Sequence, residues 1–133
     1  LSATDEDNIM KTAFSALAAA LLLTACAETP ASNHIAEMQA LTTKVTGLQC
    51  PSATPTVVYG NREGAAWAPA GPMKGGTIVM PTRYDPKTAE GRKWQSGPQG
   101  HWRMAEEVAH TCGANETQAR AVKCQWWICS GNG

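Results

Sequence analysis

At 133 residues the chain is about one domain's worth of polypeptide. Its eleven basic and eleven acidic side chains cancel, which removes the electrostatic support a nucleic-acid partner needs. The composition, 43% hydrophobic and 17% charged, is that of an ordinary folded domain, but one Phe and two Tyr stand against five Trp. The large apolar mass is therefore concentrated in Trp67, Trp94, Trp102, Trp126 and Trp127.

The N-terminal stretch reads as an export signal rather than a fold element. Met10-Lys11 opens a short positive region, and Thr12 to Leu23 is an uninterrupted, mostly apolar run. The run is shorter than the ~20 residues a spanning helix requires. Small residues Thr24 and Ala25 follow, and then Cys26. Leu23-Thr24-Ala25-Cys26 resembles the lipobox of bacterial lipoproteins. That resemblance implies acylation of the Cys26 thiol, cleavage before it, and membrane anchoring through the lipid. Ala27, rather than Asp, after the cysteine resembles the pattern sorted to the outer membrane in hosts with two membranes. Residues 1–9 place the acidic Asp5-Glu6-Asp7 ahead of the signal and are expected to be an upstream extension. The expected organisation is 10–25 as signal peptide, 26–33 as tether and 34–133 as one exported domain. Removing Lys11 and the three acidic residues leaves Cys26 to Gly133, the expected mature protein, close to neutral.

Ala27 to Ser32 is rich in small residues, and its expected job is to hold the domain off the bilayer. From His34 to Thr46, Ile35, Met38, Leu41 and Val45 recur at spacings of three, three and four, one apolar helical stripe. Asn33 is the expected N-cap and Gly47 the expected stop. Gly47 to Gly100 is rich in Gly and Pro, which argues against long helices. Within it Thr56–Tyr59 and Thr77–Met80 are β-prone, and Pro81 ends the second run. Gly60 to Gly76 is expected to be a loop carrying Trp67, and Gly91 to Gly100 a second loop carrying Trp94. Tyr84-Asp85-Pro86 reads as a turn.

The last third is helical. In His101 to Cys112, Met104, Val108 and Cys112 recur every four residues beside Ala105 and Ala109. Gly113 suits a left-handed C-cap and Asn115 the N-cap of a second helix, Glu116 to about Ile128. Its inner stripe is Ala119, Val122, Trp126 and Cys129. Adjacent Trp126 and Trp127 lie about 100° apart on a helix, so one packs inward and the other outward. The expected whole is a small α+β domain: an N-terminal helix, a short β element and a C-terminal αα-hairpin.

Besides Cys26, four cysteines remain: Cys50, Cys112, Cys124 and Cys129. In an exported domain an even count reads as two disulfides, with three pairings open. Pairing of Cys112 with Cys124 or Cys129 across the helical hairpin is favoured. The rival reading, a zinc cluster, has no C-x-x-C to support it.

The string Glu106-Glu107-Val108-Ala109-His110-Thr111-Cys112-Gly113-Ala114-Asn115-Glu116 is the most suggestive of chemistry. It resembles, over eleven residues, the zincin pattern H-E-x-x-H-x-x-G-x-x-H of metallopeptidases. There two histidines one turn apart bind zinc, the glutamate activates a metal-bound water, and the glycine turns the chain towards a third ligand. The resemblance places Glu107 as general base, His110 as second ligand and Gly113 at the turn. Glu106 and Glu116 occupy the first and third ligand positions, an oxygen-rich set that favours harder metals than an all-histidine one. The bland alternative is a solvated helix face with a capping glycine. His34 is expected to be solvated and remote, and His101 and Glu106, five apart, lie on different helix faces.

Two functions follow. One is an envelope lipoprotein with a binding or structural role, presenting Trp67 and Trp94 to a protein, peptide or glycan. The other is a zincin-like metallohydrolase, or its inactive relative, with zinc as cofactor. The second requires Glu106, His110 and Glu116 to converge beside Glu107.

Overall fold

The computed structural model describes residues 29–61, 66–69 and 76–129, with backbone alone for 66–69 and for residue 129. The proposed signal peptide and Cys26 lie outside these residues, as do the side chains of Trp67 and Cys129. Among the described residues the architecture is α+β: four α-helices around one face of a three-stranded sheet. No helix among the described residues is long and apolar enough to cross a membrane.

Helix α1 spans Ile35–Thr46. Ile35 and Met38 are buried, Leu41 packs at the edge of the core, and Val45 at the far end of the stripe is exposed. Gly47 takes the left-handed conformation, φ 76°, and its N–H closes the helix on the Thr43 carbonyl. Asn33 is not the cap. It lies in a 3-10 turn, Ala31–His34, that feeds directly into α1, and Ala31 is completely buried. The tether therefore does not run to Ser32; the chain is already packed there. Ser32 donates through its hydroxyl to Gln95 Oε1 at 2.7 Å.

Strands β1 (Thr56–Gly60) and β3 (Gly76–Pro81) fall on the two β-prone runs and pair in parallel, Val57 opposite Ile78. The segment between them is not all loop. Ala66–Pro69 forms β2, antiparallel to β3, so the order is β1-β3-β2. A central strand is buried where a period of two points it inward, and Ile78 and Met80 are indeed fully buried. Val57 and Tyr59 pack against the same core from β1.

Gly91 to Gly100 is also not a loop. Helix α2 occupies Ala89–Ser96 and α3 Pro98–Thr111, with Pro98 in the first turn, where its missing N–H costs nothing. Thr88 caps α2 by accepting from the Gly91 N–H at 2.9 Å. The glycines here serve close packing rather than turning. A Cβ on Gly91 would sit 1.8 Å from the Asp85 carbonyl oxygen, and one on Gly100 2.6 Å from that of Gln95. The turn around Tyr84 is a 3-10 turn, Thr82–Tyr84. Gln95 is wholly buried and satisfied, its amide donating to Tyr59 Oη at 2.6 Å and to the Tyr84 carbonyl at 3.1 Å.

Helix α4, Glu116–Cys129, completes the hairpin with α3. Met104, Ala105 and Val108 join Met38, Ile78, Met80, Tyr84 and Trp126 in the main core. Ala109, Ala119 and Val122 let the two helices approach closely at the hairpin end. Trp126 is buried, and Trp127 turns outward against Trp102 with ring centroids 5.2 Å apart. His34 is neither remote nor solvated. It packs 5.3 Å from the His101 ring and 5.9 Å from Trp126, and its Nδ1 meets Glu37 at 2.6 Å.

Cys112 pairs with Cys50, not across the hairpin. Cys112 ends α3 on its buried side, where the segment between α1 and β1 passes. Cys124 is exposed and free, so the expectation of two disulfides among these four cysteines does not hold. Residues five apart on one helix point about 140° away from each other, which keeps Cys124 from Cys129.

Candidate metal centre

The site is built on the hairpin corner. Helix α3 ends in a Schellman arrangement: the Ala114 N–H reaches the Ala109 carbonyl at 3.1 Å and the Gly113 N–H that of His110 at 2.9 Å. Gly113 has φ 93°, a conformation that disfavours any side chain. Asn115 then caps α4 reciprocally with Gln118. Its Oδ1 accepts from the Gln118 N–H at 2.8 Å, and Gln118 Oε1 accepts from the Asn115 N–H at 3.0 Å. These two caps fix Glu116 in the first turn of α4, facing back towards α3.

Glu106 and His110, one turn apart on α3, present their side chains to the same side as Glu116. One ligand atom of each lies within 4.8 Å of the others. His110 Nε2 is 3.1 Å from Glu116 Oε1. His110 is buried, while Glu116 is largely exposed. The Ala114 carbonyl, 2.9 Å from His110 Nδ1, can only accept, so Nδ1 carries the proton and Nε2 faces the cluster. This is the orientation that a metal-binding histidine receives from its outer partner.

Glu107 stands beside them. Burial raises its carboxyl above the ordinary glutamate range, and the charges of Glu106 and Glu116 add to the rise. His110 and Arg103 oppose it. Glu106 is already partly neutralised by Lys123, whose Nζ lies 3.0 Å from Oε2. A cavity of about 450 Å³ opens over these groups, with Trp102, Arg103 and Lys123 on its rim. Lys123 Nζ also sits 5.5 Å from the Trp102 ring centre. The three sequence-proposed ligands and the proposed base are thus brought together. Sequence reasoning missed Trp102, Arg103 and Lys123; the available signal was the place of Trp102 and Arg103 four and three residues before Glu106 on α3, and of Lys123 two turns beyond Glu116 on α4.

The other sequence candidates lie apart. Trp94 is on α2 rather than in a loop, 43% exposed, with its ring edge-on to Tyr84 at 6.1 Å and the Arg83 guanidinium 5.9 Å from its centre. An apolar groove of about 360 Å³ runs past Trp94 and Pro98. His101 accepts from Trp126 Nε1 at 3.4 Å and bonds the Thr29 backbone. Burial, and then the nearby His34, hold it below the usual histidine range against that backbone bond.

No protein-family model, no curated protein and no solved structure matches the chain.

Proposed function

We propose that the chain is an exported lipoprotein, anchored through a lipid on Cys26, whose domain carries a divalent-metal site of zincin-like hydrolase type. Glu106, His110 and Glu116 are the ligands and Glu107 is the general base. The observation that carries this reading is the His110 geometry. Its Nδ1 proton is committed to the Ala114 carbonyl while Nε2 faces the Glu116 carboxylate at 3.1 Å. An ion about 2.1 Å from each ligand needs the three atoms within about 4 Å of one another. The ligand atoms lie within 4.8 Å of one another, about 1 Å from that spacing at most. The base needs a carboxyl close to the ion yet outside its ligand set, raised in proton affinity so that it can take a proton near neutral pH. Glu107 lines the same cavity as the three ligands, and burial raises its carboxyl above the ordinary glutamate range. The Cys50–Cys112 disulfide supports export, since such bonds persist in oxidising compartments.

Elemental analysis of the domain, purified without chelator, tests the metal reading. About one zinc or harder divalent ion per chain, lost in His110→Ala, is the expected result. A chain that takes up no stoichiometric metal even after zinc addition leaves the second reading. That reading is a binding lipoprotein of the envelope, favoured by the exposed Trp94 and its groove and directed at a protein, peptide or glycan.

A further inference from the structure

We propose that Trp102, Trp127 and Ile128 form a face by which the domain lies directly on the bilayer surface. This inference rests on the lipid anchor at Cys26. The argument is one of reach. Thr29 is already bound to His101 through its backbone, Ala31 is fully buried, and Ser32 is held by Gln95. Only three residue steps separate Cys26 from Thr29. Fully extended, each covers at most ~3.6 Å, so the anchor point on the domain stands no more than about 11 Å from the acylated sulfur's own residue. A tether that short keeps the domain at the bilayer, with the surface around Thr29 and His101 nearest the lipid.

That surface is suited to it. Trp102 follows His101 directly, and Trp127 follows Trp126, the residue stacked on the His101 ring. Trp102 and Trp127 touch each other across α3 and α4, and Trp102 remains 39% exposed. Ile128, at 61% exposure, is the most exposed large hydrophobic residue among those described. Along α4 the same side carries Lys123, paired with Glu106, and the exposed Arg120, one turn and two turns before Trp127. Amphipathic indole rings beside aliphatic surface and cations are what the membrane–water boundary selects.

The test uses the mature acylated protein reconstituted on phosphatidylcholine vesicles, part of whose lipid carries bromine in the acyl chains, with and without phosphatidylglycerol. Mass spectrometry first establishes the acyl chains on Cys26; a chain that carries none overturns the anchor and this inference with it. With the lipid present, bromine is expected to quench part of the tryptophan emission, and most of that quenchable emission should be lost in the Trp102→Phe/Trp127→Phe double variant. Two results overturn the face alone and leave the anchor standing. One is an acylated protein whose emission is not quenched. The other is quenching that persists in the double variant and disappears in Trp94→Phe.

Discussion

His110 Nε2 stands 3.1 Å from Glu116 Oε1 while the Ala114 carbonyl holds the proton of Nδ1. Nε2 is therefore the ring nitrogen that faces the carboxylate. Two acceptors at that distance hold together only with something positive between them, a proton or a metal ion. If the ion takes that place, its arrival expels the proton, so zinc binding measured by calorimetry in buffers of different ionisation heat should show proton release. Glu116→Gln and His110→Ala should each weaken binding by at least about tenfold. Equal affinity in wild type and both variants would falsify the ligand assignment.

Glu107→Gln separates the base from the ligands. Metal content should be unchanged, whereas any hydrolytic activity should fall by roughly 10²–10⁴-fold, the usual scale of a lost general base. The same variant tests the electrostatics without metal. A carboxyl raised in the folded state contributes stability below its unfolded pKa and loses it as pH climbs through the folded value. Burial raises Glu107, so at neutral pH the charged group is a burden that glutamine lifts. Metal-free Glu107→Gln should melt a few degrees above wild type at pH 7. The gap should close as pH falls below the ordinary carboxylate range. A variant melting below wild type at pH 7 contradicts this account.

Two glycines should respond differently to alanine. At Gly113 the added methyl meets nothing within 4 Å, so the cost is the positive φ alone, roughly 1–2 kcal/mol. At Gly91 the methyl would collide with the Asp85 backbone, which no rotamer change relieves. Gly91→Ala should cost more than about 3 kcal/mol, in the range of severe overpacking. Chemical denaturation of both variants checks the order. Gly113→Ala should also loosen metal binding, because that residue aims Glu116.

Peptide mapping without reduction should recover Cys50 linked to Cys112, with Cys124 alkylated directly. The bond closes a separation of 62 residues, for which the chain-entropy relation gives about 4 kcal/mol. Cys50→Ser should therefore lower the denaturation midpoint strongly. Alkylation of Cys124 should leave it in place.

Periodicity made the helical hairpin and the two β-prone runs legible, because Met104, Val108, Ala119 and Val122 repeat cleanly and β-branched pairs mark the strands. The errors share one cause. Gly91 and Gly100 look like chain breakers in sequence, yet each is a contact point where a helix meets backbone, a distinction only tertiary proximity makes. Strand β2 carries Ala and Pro rather than β-branched residues and takes its form from pairing with β3. The disulfide was misassigned because sequence proximity favoured the hairpin, while Cys50 reaches Cys112 through a long-range fold. The convergence of Glu106, His110 and Glu116 was readable because it depends only on a helix, a Gly corner and a capped second helix, all local events. Lys123 was not, since it arrives from another helix.

That lysine changes what an incoming ion would encounter. With its Nζ 3.0 Å from Glu106 and 5.5 Å from the Trp102 ring centre, the domain supplies its own counter-ion from α4. Uptake of a metal would then be an exchange against a tethered ammonium rather than the filling of a bare carboxylate cage. The released ammonium already stands within 5.5 Å of the Trp102 ring centre, so the change in its contacts would be felt at that indole.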